Sequence, residues 1–155
     1  MTFQPGRDVV NHRILHVSGN FTGRGVNHAA EPFTGSMTLT PVLGNSGTAL
    51  SFTAVGDDGQ TYHDERTVLG LDPDHQLHMV STSNNTGALM SYALEIMEDE
   101  QLVFRFGDLE DLGTFRETRA IQLHDNGDVS YRFSWGLPGE PVRERSAVRM
   151  TPDCV

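Results

Sequence analysis

The sequence predicts an all-β protein: a single up-and-down antiparallel barrel of about ten strands, with a short N-terminal helix capping one end. Three observations carry that prediction. Turn-forming residues recur at short, regular intervals, and the segments between them alternate apolar with polar side chains. One glycine-punctuated stretch, Gly19-Asn20-Phe21-Thr22-Gly23-Arg24-Gly25, stands at the head of the series. With 155 residues the chain is long enough for one domain with a real core and too short for two ordinary ones, so residues 1–155 are read as one domain.

In chain order, Arg7 to Leu15 reads as a short amphipathic helix. Val10 and Ile14 share a face, and Asp8 sits favourably near its start. The next stretch reads as a strongly bent first strand, because glycine permits close backbone approach and the dihedrals of a sharp curve. Turn signals follow at Asn27 to Pro32, Gly44 to Gly47, Asp57-Asp58-Gly59, Asp72-Pro73-Asp74 and Asn84 to Gly87. More come at Glu98 to Glu100, Gly107 to Gly113, Asp125 to Asp128 and Leu137 to Glu140. Most combine residues that tolerate positive φ or preset a turn.

Between the turns the period is two. Leu102, Phe104 and Phe106 oppose Val103 and Arg105, and Tyr131, Phe133 and Trp135 oppose Arg132 and Ser134. Many strands with no device to hide two sheet edges are best closed into a barrel, and about ten strands leave more interior than the eight-strand case. A two-layer sandwich satisfies the same alternation.

Composition excludes several functions. A formal net charge of −10 and a pI near 4.9 lack the concentrated positive surface that nucleic acid or an anionic membrane demands, so neither is an expected partner. Met1 to Val10 carries no signal-peptide core, and no apolar run approaches the roughly 20 residues of a membrane span; a cytoplasmic location is expected. Cys154 is the single cysteine, which rules out an intramolecular disulfide. Oligomeric state is not readable.

The glycine-rich first strand resembles the Gly-x-Trp-x-Gly-x-Gly signature of nitrobindin-type haem-binding barrels, with Phe21 in the tryptophan position. The layout after it is similar to that family and to the wider lipocalin and fatty-acid-binding group, the calycins. The resemblance implies a closed barrel that binds a small molecule. In nitrobindins a histidine in the final strand holds the haem iron, and the comparable stretch, Pro141 to Arg149, places Arg145 there. A guanidinium has no lone pair to offer a metal, so no cofactor is expected.

Candidate site residues follow from the strand faces. Alternation puts His63, Glu65, Thr67 and Leu69 on one face and Tyr62, Asp64, Arg66 and Val68 on the other; both faces mix polar with apolar residues, so His63 and Arg66 are each candidates for an inward role. An inward histidine beside Glu65 is a potential proton acceptor. Phe115, Glu117, Arg119, Ile121 and Leu123 share a face, and a buried arginine there needs a partner, either Glu117 or an acidic ligand. By resemblance to fatty-acid-binding barrels, Arg119 or Arg145 would hold a carboxylate. Met37, Phe52, Met79, Tyr92, Phe104, Tyr131, Phe133 and Trp135 complete the candidate lining, as pocket wall or as plain core. His75 and His78, three apart in a strand, face opposite ways and do not form a metal pair. His124, at a hairpin end, is expected in solvent.

The sequence thus supports a lipocalin-like binder of a small hydrophobic or amphipathic molecule. An enzyme on the same scaffold, using an interior histidine or carboxylate, and a haem protein are the alternatives.

Overall fold

In a computed structural model the protein is a closed ten-strand barrel; the structure describes residues 13–42, 44, 46–98 and 101–154. The strands are β1 (Gly19–Val26), β2 (Pro32–Val42), β3 (Gly47–Gly56), β4 (Thr61–Leu71), β5 (Leu77–Ser83), β6 (Met90–Glu98), β7 (Gln101–Phe106), β8 (Arg116–Leu123), β9 (Val129–Gly136) and β10 (Arg143–Pro152). Each pairs antiparallel with its sequence neighbours, and β1 pairs with β10 from Phe21↔Pro152 to Val26↔Ala147, so no sheet edge is left bare.

Closure depends on the first strand. A Cβ on Gly23 would collide with the Arg149 carbonyl oxygen, and one on Gly25 would lie 2.6 Å from the Ala147 carbonyl oxygen and against the Phe33 ring. These two glycines let β10 approach closely enough to seal the barrel.

The two ends of the barrel differ. Helix α1 (13–16) lies across one end with Ile14 and Leu15 buried; Thr48 Oγ1 donates to the Ile14 carbonyl (2.9 Å), and Arg13 Nη2 donates to the His124 carbonyl (3.3 Å). Only the last part of the expected Arg7–Leu15 helix falls within the described residues; Asp8 and Val10 lie outside them. Behind α1 the barrel is filled by Leu39, Leu50, Leu69, Leu77, Met79, Leu102, Ile121, Leu123, Val129 and Met150, all buried. The other end carries the loops after β1, β3, β5, β7 and β9.

Two β-bulges shape that second end. Between β3 and β4 the register jumps from Ala54↔His63 to Val55↔Thr61, leaving Tyr62 as the extra residue. Between β9 and β10 it jumps from Ser134↔Glu144 to Phe133↔Ser146, leaving Arg145. A bulge breaks the strict inward-outward alternation and re-aims the side chains beside it.

Candidate functional site

A cavity of about 370 Å³ occupies the end opposite α1. Aromatic rings make much of its wall: Phe33, Phe52, Tyr62, Phe115, Phe133 and Trp135. The bulges act here. Tyr62 and His63, consecutive in β4, both line the cavity, as do Arg145 and Ser146 in β10, an arrangement that plain alternation forbids.

The floor is a buried ionic network. Arg119 is 2% exposed and lies between two carboxylates: Nη1 donates to Glu65 Oε2, and Nε donates to Glu117 Oε1 at 2.9 Å. Nη1 also contacts Ser81 Oγ at 2.7 Å, and the guanidinium sits over the rings of Tyr92 (4.7 Å) and Phe133 (5.1 Å). The Tyr92 hydroxyl donates to Glu117 Oε2 at 2.5 Å, while the Thr67 and Ser81 hydroxyls each lie 3.1 Å from Glu65 Oε2. These bonds are what make three buried charges tolerable.

The electrostatics follow the geometry. Burial alone pushes the Glu65 carboxyl up, but the Arg119 charge and the nearness of His63 outweigh it and hold the group at about 2, so Glu65 is ionised at neutral pH. Burial raises the Tyr92 phenol, and Glu117 adds to that against the opposing pull of Arg119. Tyr131, fully buried, is raised by burial and then by Glu65. Both phenols stay neutral.

Three buried polar atoms at this floor have no hydrogen-bond partner: His63 Nε2, Glu65 Oε1 and the Tyr131 hydroxyl. His63 Nε2 lies 3.8 Å from Glu65 Oε2. Its tautomer can be read from Asn85, whose Nδ2 donates to the Tyr62 carbonyl at 3.0 Å and therefore also faces His63 Nδ1 as a donor, at 2.8 Å. Neutral His63 accordingly carries its proton on Nε2, toward Glu65.

At the rim, the Arg145 guanidinium sits over the Trp135 ring (4.2 Å), donates to the Trp135 carbonyl (3.1 Å) and pairs with Glu140 (3.0 Å). Arg116 is wholly buried behind the β9–β10 loop, donating to the carbonyls of Thr114, Leu137 and Glu140, with Nη1 unpartnered.

Of the residues singled out from the sequence, Phe52, His63, Arg119, Phe133, Trp135 and Arg145 line the cavity. Tyr92 and Tyr131 sit within or beside the ionic floor, whereas Met37, Met79 and Phe104 are buried in the core and do not line this cavity, because the barrel is filled by side chains at those positions. Arg66 is a correction: its side chain is 63% exposed on the outer wall, paired with Asp64 at 2.6 Å, since it alternates with the inward Glu65 and Thr67. His124 is a smaller one, half-buried with Nε2 2.7 Å from Ser130 Oγ. His75 is exposed in a turn at positive φ, and among the described residues no group of three or more His, Cys, Asp or Glu side chains is placed to hold a metal.

Sequence reasoning missed Ser81, Asn85, His28 and Arg116. Ser81 was accessible from parity with Met79; Asn85, His28 and the loop around Arg116 depend on how turns fold over the mouth, for which periodicity carries no signal.

No family model matches the sequence, and no curated protein matches it. Among solved structures the chain is similar to Rv2717c from M. tuberculosis at a TM-score of 0.61 and 12% identity, covering 99% of this chain and 100% of that one. It also aligns with a de novo designed fluorescence-activating β-barrel, at a TM-score of 0.49 and 10% identity over 92% of this chain and 98% of that one. At such identities the first likeness shows the fold alone: a closed antiparallel barrel whose function must be read from its own site.

Proposed function

We propose that the protein binds a small, mainly apolar or amphipathic molecule in the cavity opposite α1, in the manner of lipocalin-like barrels. One observation carries the reading: about 370 Å³ of aromatic-walled space lies over a floor with convergent polar groups, while the other end of the same barrel is filled. The volume is that of about a dozen waters, which suits a ligand of one or two rings. Native mass spectrometry and organic extraction of protein purified from its own source test it. A stoichiometric small molecule is the expected result, and a cavity holding only water after purification under gentle conditions speaks against it.

A haem held as the nitrobindin resemblance implies does not fit these residues. Arg145 in the final strand is committed to Trp135 and Glu140 and offers no lone pair. His28 and His63 also line the cavity, so titration with haemin is informative: a spectrum matching free haemin is expected, and a sharp Soret band would overturn this part of the reading.

Catalysis is a second reading, favoured by the meeting of His63 and Glu65 at the floor. With the proton on Nε2 toward Glu65, Nδ1 is the basic atom, and Asn85 covers it. Acid-base work by His63 thus requires Asn85 to swing aside, and an activity lost in His63→Gln but raised in Asn85→Ala would establish it.

A further inference from the structure

The charge balance of the floor narrows the ligand class, resting on the binding reading above. Glu65, Glu117 and Arg119 are each 5% exposed or less, and together they sum to one net negative charge. Arg119 lines the cavity but is already paired, Nε with Glu117 and Nη1 with Glu65 and Ser81, so a ligand carboxylate there competes with two built-in carboxylates for one cation. Glu65 has the opposite imbalance. Its Oε2 takes the contacts of Arg119, Ser81 and Thr67, while Oε1 is buried with none, an acceptor left without a hydrogen bond in a low-dielectric interior. Of the floor's carboxylates, Glu117 reaches the cavity surface directly.

The positive groups of the rim do not cancel this. Arg145 is paired with Glu140 at 3.0 Å, and Arg116 is held by three backbone carbonyls and does not line the cavity. The walls above the floor are aromatic, with Phe52 stacked on Phe133 and Arg145 over the Trp135 ring, and so contribute mainly apolar surface.

We propose that the cavity selects ligands whose inner end is a hydrogen-bond donor, an ammonium group above all and a hydroxyl second, and that it discriminates against carboxylates. This reverses the expectation that Arg119 acts as a carboxylate clamp: the arginine is an internal counter-ion to Glu65 and Glu117.

Trp135, the single tryptophan, lines the cavity and reports occupancy by its fluorescence. The test is a titration of the intact protein with four probes on one skeleton: 3-phenylpropylamine, 3-phenylpropanol, 3-phenylpropionate and propylbenzene. The amine should bind at least about tenfold more tightly than the carboxylate, with the alcohol between; that lower bound lies below the roughly thirtyfold per unit charge expected for charges about 8 Å apart at an effective dielectric near 20. Glu65→Gln, which removes a charge and keeps the shape, should shrink that preference to about threefold or less. Should E65Q fail to fold, E117Q removes the same unit of charge and makes the same prediction. A carboxylate that binds as tightly as the amine overturns the inference. So does binding of propylbenzene with none of the amine or alcohol, which leaves the binding reading standing. If none of the four perturbs Trp135, both fall.

Discussion

The two ends of this barrel are built from the same ten strands and solve different problems. At the α1 end the inward positions are aliphatic and sulfur-bearing, Leu39, Leu50, Leu69, Leu77, Met79, Leu102 and Met150, and they fill the space completely enough to be 0–1% exposed. At the open end the inward positions are rings and charges, and they leave room. The contrast separates the part of the barrel that is packed solid from the part that leaves room. An apolar plug is non-directional and tolerant of repacking, whereas a buried ion network is stable only with every partner present and so fixes the cavity floor in one arrangement.

The largest effect should come from breaking that network. Arg119→Ala leaves Glu65 and Glu117 buried without their cation, and a loss of about 3–5 kcal/mol in chemical denaturation is expected. Arg119→Met with Glu65→Gln and Glu117→Gln together should recover much of it, because the cost lies in the uncompensated charges rather than in the missing contact.

The closed end should respond in a graded way. Leu69→Ala, at a position of 0% exposure, should cost about 2–5 kcal/mol through lost burial and the cavity left behind, and Leu69→Met under about 1.5 kcal/mol. Neither should alter ligand binding in the native state, since Leu69 does not line the cavity.

Acid separates the ends too. Glu65 is held at about 2 in the folded state against 4.5 ordinarily, so its contribution is complete above pH about 4.5 and disappears as the pH falls toward 2. That contribution is on the order of 3 kcal/mol for this fully buried carboxylate. Urea midpoints across that window should fall in the wild type, and the part of the fall due to this group should vanish in Glu65→Gln, while Leu69→Met keeps the wild-type slope.

The smallest effect is on the outer wall. Arg66→Ala should change stability by about 0.5 kcal/mol or less and leave ligand affinity untouched, because its pair with Asp64 is solvent-exposed.

These contrasts also explain what the sequence made legible. Strand number and order followed from period two and turn chemistry, which are local properties; Glu117, two residues from Arg119 on one strand face, stood as one of two possible partners for the arginine. Glu65 meeting Arg119 across 54 residues did not, since it requires the closure and register of the whole barrel. Tyr62 and Arg145 escaped parity because a bulge adds one residue and leaves no mark in apolar patterning. The filled half was indistinguishable from the hollow one for a related reason: Met37, Met79 and Phe104 have the composition of a pocket wall and the position of a core. Only volume separates them.

The proposed binding role requires that hollow to accept a ligand. The most direct measurement is saturation of Trp135 fluorescence by propylbenzene in the wild type and in Ala54→Phe, in which a ring is built into the cavity from its β3 wall. A saturable shift in the wild type that is lost in a folded Ala54→Phe variant is the predicted result. Equal responses in the two proteins, or none in the wild type, would contradict the claim that the open end of the barrel is a binding site.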